Sequence, residues 1–522
     1  MAKQDNSKFG VKPKARRIMA PATSTSTRKS NSATRKRGST ARKSDSRPAV
    51  RLSRTNGAPR GVRAASPKPA SPQRESPSTP VAENQASSGI QDRSGIRARS
   101  GIQSRPGPFG ATISRRASDR LRAGHLWVYA SDVAAVTLPT PEETLVHVAD
   151  SRGLLLGTAL YSPSSQIALR MISRESLDEP AWLKLLASRL RAAIARRKPL
   201  LDAANDACRL CFSEADELPG LIADKYSDLI VLQFLTKGLL TAAVRETCIR
   251  VLREEFAPTA IYERPDPRIR ELESLPAPNL DPLWLADPKK PVAATQFHLN
   301  GVAFHYDANA GQKTGAFLDQ RTNYAAARDW AQRLGKTGRA LDVCCYQGGF
   351  ALHLAQACRS VTGIDVSRAS LEVAERNLQA NRADGNAKAK RAEVDWGEVD
   401  WIEADAFEIL RDWSTAGEQF DVIVLDPPAF AKSMRAVEGA LRGYKELNLR
   451  ALKMLRPGGL LITCSCSHHV GWADLEGAVA AAAADASRRV RLLERRGAAP
   501  DHPVVLNLPE TEYLKCLVLE VE

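Results

Sequence analysis

The sequence of 522 residues contains no apolar run long enough to cross a bilayer, which takes about 20 consecutive apolar residues. Its N-terminus carries charge but not the apolar stretch of a secretory leader, so a soluble cytoplasmic protein is expected. Cysteines are few and irregularly spaced: nine in all, several inside apolar runs that read as buried strands. This excludes a disulfide framework and suits a reducing compartment. Cys208 and Cys211 form one C-x-x-C, but no second pair and no nearby His pair completes a zinc site, so no metal is expected. Acid is nearly missing from residues 1–110, where 24 Lys/Arg stand against 5 Asp/Glu; beyond them 51 basic residues face 54 acidic ones. The formal charge of +16 therefore belongs to the tail, and supports no argument for nucleic-acid binding by the folded part.

Residues 1–110 are also poor in large apolar side chains and rich in Ser, Thr, Pro, Ala, Arg and Lys, a composition too polar to offset chain entropy; they read as a disordered basic tail. Near its end a six-residue Ser-Gly-Ile unit starts at Ser88, Ser94 and Ser100, too short to build a solenoid. Order is expected from Ala111. Alternating runs at 144–149, 154–159 and 166–172 suggest a small β-barrel-like domain over 111–178. A helix from about Pro180, strands at 218–224 and 229–234 and a helix ending near Glu255 mark a central α/β domain over 179–300.

From 301 to 522 short apolar strands alternate with helices, the pattern of a parallel, doubly wound sheet. Strands are expected at 340–344, 361–365, 401–404, 422–425 and 460–464, and helices at 350–358, 367–381 and 438–455, with a turn at Arg456-Pro457-Gly458-Gly459. The first strand runs through Asp342-Val343-Cys344-Cys345-Tyr346 into Gln347-Gly348-Gly349, where glycines and a helix N-terminus let a ligand approach the backbone. Asp365 ends the next strand, about 20 residues on, where an acid can accept from ribose hydroxyls. Asp405 ends the third, in reach of an adenine amino group, and Asp426-Pro427-Pro428 ends the fourth. One such acid is more often a cap or a surface group; four at the carboxyl ends of successive parallel strands line one crevice. The loop lacks the G-x-G-x-x-G spacing of a dinucleotide site.

At these residues the chain resembles class I S-adenosylmethionine (SAM)-dependent methyltransferases, and most of all the RlmI-type family of large-subunit rRNA cytosine-C5 methyltransferases. The likeness runs from Ala111 to the C-terminus. Its most specific stretch is Gly311-Gln312-Lys313-Thr314-Gly315-Ala316-Phe317-Leu318-Asp319-Gln320-Arg321; further matches are Gly443-Tyr444-Lys445-Glu446-Leu447-Asn448, Ser465-Cys466-Ser467 and Pro509-Glu510-Thr511-Glu512-Tyr513-Leu514-Lys515. The resemblance implies a PUA-like RNA-binding domain, a central α/β domain and a Rossmann-like methyltransferase domain. It implies SAM as cofactor, held by Phe317, Gln320, Arg321, Asp342, Cys344, Tyr346, Gly348, Asp365, Asp405 and Asp426, ribosomal RNA as partner, and a homodimer. Ala316 and Gln347 stand where the family often has an aromatic and Thr, and the segment 390–401 looks lengthened by a near-duplicated Glu-Val-Asp-Trp.

Carbon 5 of cytosine is too weak a nucleophile to attack a sulfonium unaided; a thiolate adding at carbon 6 makes it carbanion-like. Position alone leaves Cys466 balanced between nucleophile and small buried residue; the family's Ser-Cys-Ser makes it the expected nucleophile, with Cys464, two residues earlier, as second choice. Asp426 is expected to hold the base edge. Lys432 reads equally as a phosphate contact or a solvated loop lysine, and so do Arg115, Arg116, Arg120 and Arg122 of the first domain. No acceptor for the carbon-5 proton is identifiable beyond His468 or a water. Two alternatives stand beside this reading: an exocyclic-amino methyltransferase, which needs no cysteine but puts an aromatic directly after Asp-Pro-Pro, where Ala429 stands; and a non-catalytic RNA-binding or assembly factor on a SAM fold.

Overall fold

The computed structural model describes residues 16–17, 110–276, 280–310, 314–384 and 396–522. The expected disordered tail with its Ser-Gly-Ile repeats, the Gly311-Gln312-Lys313 start of the most specific motif, and residues 390–395 of the lengthened segment lie outside the described residues, apart from Arg16–Arg17 and Gly110 of the tail.

The first domain is a six-stranded sheet built from β1 (Gly110–Ile113), β2 (Trp127–Tyr129), β3 (Val133–Thr137), β4 (Leu145–Ala149), β5 (Leu155–Tyr161) and β6 (Ile167–Ser173), in the order β2-β6-β5-β4-β1-β3. Strand periodicity did not reveal its helix, α1 (Arg115–Arg122), which starts where the Ser114 hydroxyl accepts from the Ala117 amide. α2 (Glu179–Arg197), capped by Asp178, leads into a five-stranded sheet of β7 (Ala207–Phe212), β8 (Leu221–Tyr226), β9 (Leu229–Phe234), β10 (Ala260–Glu263) and β11 (Trp284–Leu285), which are hydrogen-bonded in sequence order. α3 (Ala242–Phe256) and α4 (Pro267–Leu272) complete this layer. A hairpin of β12 (Ala294–Leu299) and β13 (Val302–Asp307) turns at Asn300-Gly301, so the boundary expected at 300 falls inside one hairpin.

Then follow α5 (Arg321–Arg333), β14 (Arg339–Val343), α6 (Gly349–Leu354), β15 (Ser360–Asp365), α7 (Arg368–Asp384), β16 (Glu398–Glu403), α8 (Ala406–Ala416), β17 (Phe420–Leu425), α9 (Val437–Met454), β18 (Leu455–Ser465), α10 (Trp472–Asp485), β19 (Val490–Arg496) and β20 (Lys515–Val521). The sheet order is β16-β15-β14-β17-β18-β20-β19; the first five strands are parallel, β20 is antiparallel to β18, and β19 is antiparallel to β20. Arg16–Arg17 add a short antiparallel strand on β16. Strands buried on both faces are largely apolar, as β17 is apart from the half-buried Asp421 near its start. Their side chains alternate between two cores: Val422, Val424, Leu460 and Ile462 face one, and Ile423, Leu425 and Leu461 the other.

Three expectations change in detail. Segment 398–401, read as part of a loop, forms most of edge strand β16. The helix expected to Cys358 ends at Leu354, because Ala357 N–H turns back to the Leu354 carbonyl and the Cys358 thiol donates to the Lys336 carbonyl. The Arg456–Gly459 turn lies within β18 as a bulge: Phe420 pairs with Leu455 and Val422 with Leu460, and Gly458 takes the left-handed φ of 71° the bend requires. α5 was not anticipated, although Tyr324, Ala327 and Ala331 bury one face at helical spacing.

Candidate active site

A cavity of about 340 Å³ opens at the carboxyl ends of the parallel strands. Phe317, Gln320, Asp342, Cys344, Tyr346, Asp365, Asp405, Asp426 and Cys466 all line it.

The turn after β14 is tightly wound. Cys344 and Tyr346 hold left-handed φ values of 64° and 50°. Non-glycine residues rarely adopt such values unless their surroundings enforce them. Here Tyr346 N–H donates to Asp365 Oδ2 at 2.9 Å and its hydroxyl donates to the Gly315 carbonyl at 2.9 Å. Its ring lies 4.9 Å from that of Phe317. Asp365 Oδ1 accepts from Ser367 N–H at 2.8 Å, so its carboxylate is aimed from both sides. Asp342 is fully buried; its Oδ2 accepts from Ala351 N–H at 2.8 Å, and its Oδ1 has no hydrogen-bond partner among the described residues. Burial pushes this carboxyl well above the usual range, and the Asp426 and Asp365 charges add to the shift.

Asp426 Oδ2 accepts from Gln320 Nε2 at 3.0 Å; Gln320 Oε1 in turn accepts from Asn323 Nδ2 at 2.7 Å. Gln320, expected on the cofactor, thus also aims Asp426. Cys466 stands just past the end of β18, half-buried, with Sγ 3.9 Å from the Pro427 carbonyl. The serines beside it are pinned. Ser465 Oγ donates to Tyr444 Oη at 2.8 Å, Tyr444 Oη and Ser467 Oγ lie 3.1 Å apart, and Ala431 N–H donates to Ser467 Oγ at 3.2 Å. Lys515 Nζ donates to the Ser467 carbonyl at 3.0 Å. The separated motifs around Tyr444, Cys466 and Lys515 therefore meet at one turn.

The other cavity cysteines have poor surroundings for a thiolate. Burial pushes the Cys344 and Cys345 thiols up, and the neighbouring carboxylates push them further. Cys464 does not share a face with Cys466 along a continuing strand, because β18 stops at Ser465. It is core, opposite Cys516, and burial holds its thiol well above the usual range.

Two expected cofactor contacts need correction, and a third has a second role. Arg321 does not line the cavity: it is buried with its guanidinium 3.6 Å from Asp501 and 3.3 Å from the Ala207 carbonyl, tying α5 to β7. Gly348 does not line it either. It has φ 85°, and a Cβ there would sit 2.8 Å from Trp401 Cη2, so the glycine serves close packing beneath the loop. Asp405 lines the cavity, but its Oδ1 caps α8 by accepting from Phe407 and Glu408 N–H at 2.9 and 3.0 Å. The sequence reading gave no role to Asp319, Phe430 or Leu514, which also line it.

Models of two families match the chain: a PUA-like domain at 111–174 and an S-adenosylmethionine-dependent methyltransferase at 262–518. The "Ribosomal RNA large subunit methyltransferase I" of Tolumonas auensis is 36% identical over 397 residues, which cover 76% of this chain and 95% of that protein. That of Pseudoalteromonas translucida is 34% identical over 406 residues, covering 77% and 96%. The chain belongs to this methyltransferase family. Among solved structures, a putative SAM-dependent methyltransferase from Streptococcus mutans superposes with a TM-score of 0.64 at 18% identity, covering 79% of this chain and all of that one, which shows a shared fold.

The residues of this family member suit SAM. Asp342 Oδ1 is a buried oxygen awaiting a partner, Asp365 is presented at the second strand, and Phe317 and Tyr346 supply aromatic walls. Asp365 would hold the ribose hydroxyls, with Asp405 at the adenine end. Replacing Asp365 with Ala is therefore expected to weaken SAM binding about 10–100-fold, because charged hydrogen bonds and the anchor of Tyr346 are lost together. Calorimetric titration checks this, and unchanged affinity would remove Asp365 from the site.

Proposed function

We propose that this SAM-dependent methyltransferase forms 5-methylcytosine in large-subunit ribosomal RNA through a covalent cysteine adduct. The observation that carries the reading is Cys466, half-buried, on the wall of the same cavity as Asp426. The names of the relatives support ribosomal RNA as substrate.

SAM, when bound, supplies an electrophilic methyl group. Asp426, aimed by Gln320, holds the cytosine edge at N3 or the exocyclic amine, and favours addition to the ring. Cys466 adds as thiolate to carbon 6, and carbon 5 becomes nucleophilic and takes the methyl. Loss of the carbon-5 proton and expulsion of the thiolate restore the aromatic ring. Such a base is out of reach inside a duplex, so the target is looped, single-stranded or flipped out. The test is bisulfite sequencing of ribosomal RNA from cells with and without the gene: one cytosine losing protection supports the proposal, and an identical pattern refutes it.

The PUA-like domain would hold the RNA backbone. Of its four arginines, Arg120 and Arg122 are committed to Asp132 and Asp150, at 2.7 and 2.8 Å, whereas Arg115 and Arg116 are exposed. Reversing both charges, Arg115→Glu with Arg116→Glu, is expected to weaken RNA binding about tenfold and to flatten its salt dependence by about one to two counterions. Filter binding over a potassium chloride series reads both; an unchanged slope would exclude this helix from the interface.

The amino-group alternative is favoured by one observation: Phe430 lies in the cavity wall, its ring 4.9 Å from Tyr444. It predicts activity without Cys466.

A further inference from the structure

Asp319 is the cavity carboxylate that the mechanism above leaves unused. It sits in the turn Leu318–Gln320 at 7% exposure, directly before the residue that aims Asp426. The Tyr513 hydroxyl donates to its Oδ2, and its Oδ1 is buried with no hydrogen-bond partner among the described residues. Inside a protein such an oxygen is costly to leave unsatisfied, which marks it for a partner that arrives with substrate.

Its surroundings face the reacting sulfur. Tyr513 belongs to the segment whose Leu514 lines the cavity and whose Lys515 grips the Ser467 carbonyl beside Cys466. Asp319, Leu514 and Cys466 line one cavity, and burial pushes the Tyr513 phenol well up, with the charges of Asp319 and Cys466 adding to that shift. The other acids are less able to take a proton. Burial favours the protonated form of Asp342, which leaves it no carboxylate to act as a base, and Asp426 is hydrogen-bonded by Gln320 at the base edge. His468 is exposed and packs on Tyr513, 5.4 Å between rings.

We propose that Asp319, through Oδ1, accepts the carbon-5 proton of the methylated cytosine adduct, a step that rests on the covalent reading above. The C5–H bond breaks and its proton passes to Oδ1. Its electron pair forms the C5–C6 double bond, and the C6–S bond breaks with its electrons leaving on the Cys466 thiolate. A positioned general base is worth about 10²–10⁴-fold.

The test uses the full chain with large-subunit ribosomal RNA from cells lacking the gene, labelled with tritium at cytosine carbon 5. It reads tritium release, protein–RNA adduct surviving denaturant, and SAM binding by calorimetry. Asp319→Asn is expected to bind SAM like wild type, to accumulate methylated adduct, and to release tritium about 10²–10⁴-fold more slowly, with Asp319→Glu recovering part of the rate. Release within about threefold of wild type, or absence of adduct where wild type is trapped by 5-fluorocytosine RNA, overturns the proposal. If Asp319→Asn fails to bind SAM, Tyr513→Phe decides: tritium release slowed more than adduct formation supports the role, and wild-type release overturns it. A wild-type enzyme that neither releases tritium nor forms adduct refutes the covalent reading itself, and this proposal with it.

Discussion

Cys466→Ala is expected to abolish methyl transfer while leaving SAM binding intact. Without a sulfur adding at carbon 6, carbon 5 has no path to carbanion character, so turnover should fall at least about 10⁴-fold. SAM affinity should stay within about twofold, since one thiol at the cavity wall contributes little to cofactor binding. Cys464 cannot substitute, being enclosed opposite Cys516 with its thiol held well above the usual range. Tritiated-methyl incorporation into ribosomal RNA measures the loss, and denaturing gels with 5-fluorocytosine RNA show whether the wild-type adduct disappears with the sulfur. Retained incorporation would hand the chain to the amino-group chemistry that Phe430 favours. Failure of wild-type protein to bind SAM would revive the assembly-factor reading instead.

The second large effect is on stability. Trp401→Ala should cost about 3–5 kcal/mol, the usual range for emptying a fully buried Trp site. Trp401 is 1% exposed, and its indole N–H donates to Glu375 at 3.0 Å. It fills the space beneath the cofactor loop that two glycines leave open, since a Cβ on either Gly348 or Gly363 would strike it. The variant should therefore unfold at lower urea, with its m-value unchanged, and should also bind SAM more weakly because the turn through Gly348 loses its floor. Trp396, the first copy of the duplicated Glu-Val-Asp-Trp, is only partly buried, and its replacement should cost less. Equal effects at the two positions would show that this packing argument is wrong.

These two Trp residues also show what local pattern leaves open. Both copies of Glu-Val-Asp-Trp read alike as sequence; of their two Trp residues, Trp401 lies in β16 and is fully buried, whereas Trp396 is partly buried. The parallel strands were legible because both faces are buried and runs of neighbouring positions near their centres are apolar, a signal carried by neighbours in the chain. α1 and α5 were missed for the opposite reason. α1 is short and charged, and is revealed by the Ser114 cap more than by periodicity; α5 follows a motif that drew the reading toward ligand contact. Arg321 and Gly348 sit within matched motifs, yet one serves an ion pair and the other close packing, and neither forms the cavity wall.

The sequence alone determined the five parallel strands, three of the helices between them and the placing of a crevice at the strands' carboxyl ends, because apolar runs and the residues that end them are local features. The tertiary structure decided what each polar group does. Gln320 meets Asp426 across 106 positions, Tyr513 meets Asp319 across 194, and Arg197 reaches the Asp501 carbonyl across 304. A hydrogen bond is directional and short-ranged, so which donor finds which acceptor is settled only when the fold brings distant segments within about 3 Å.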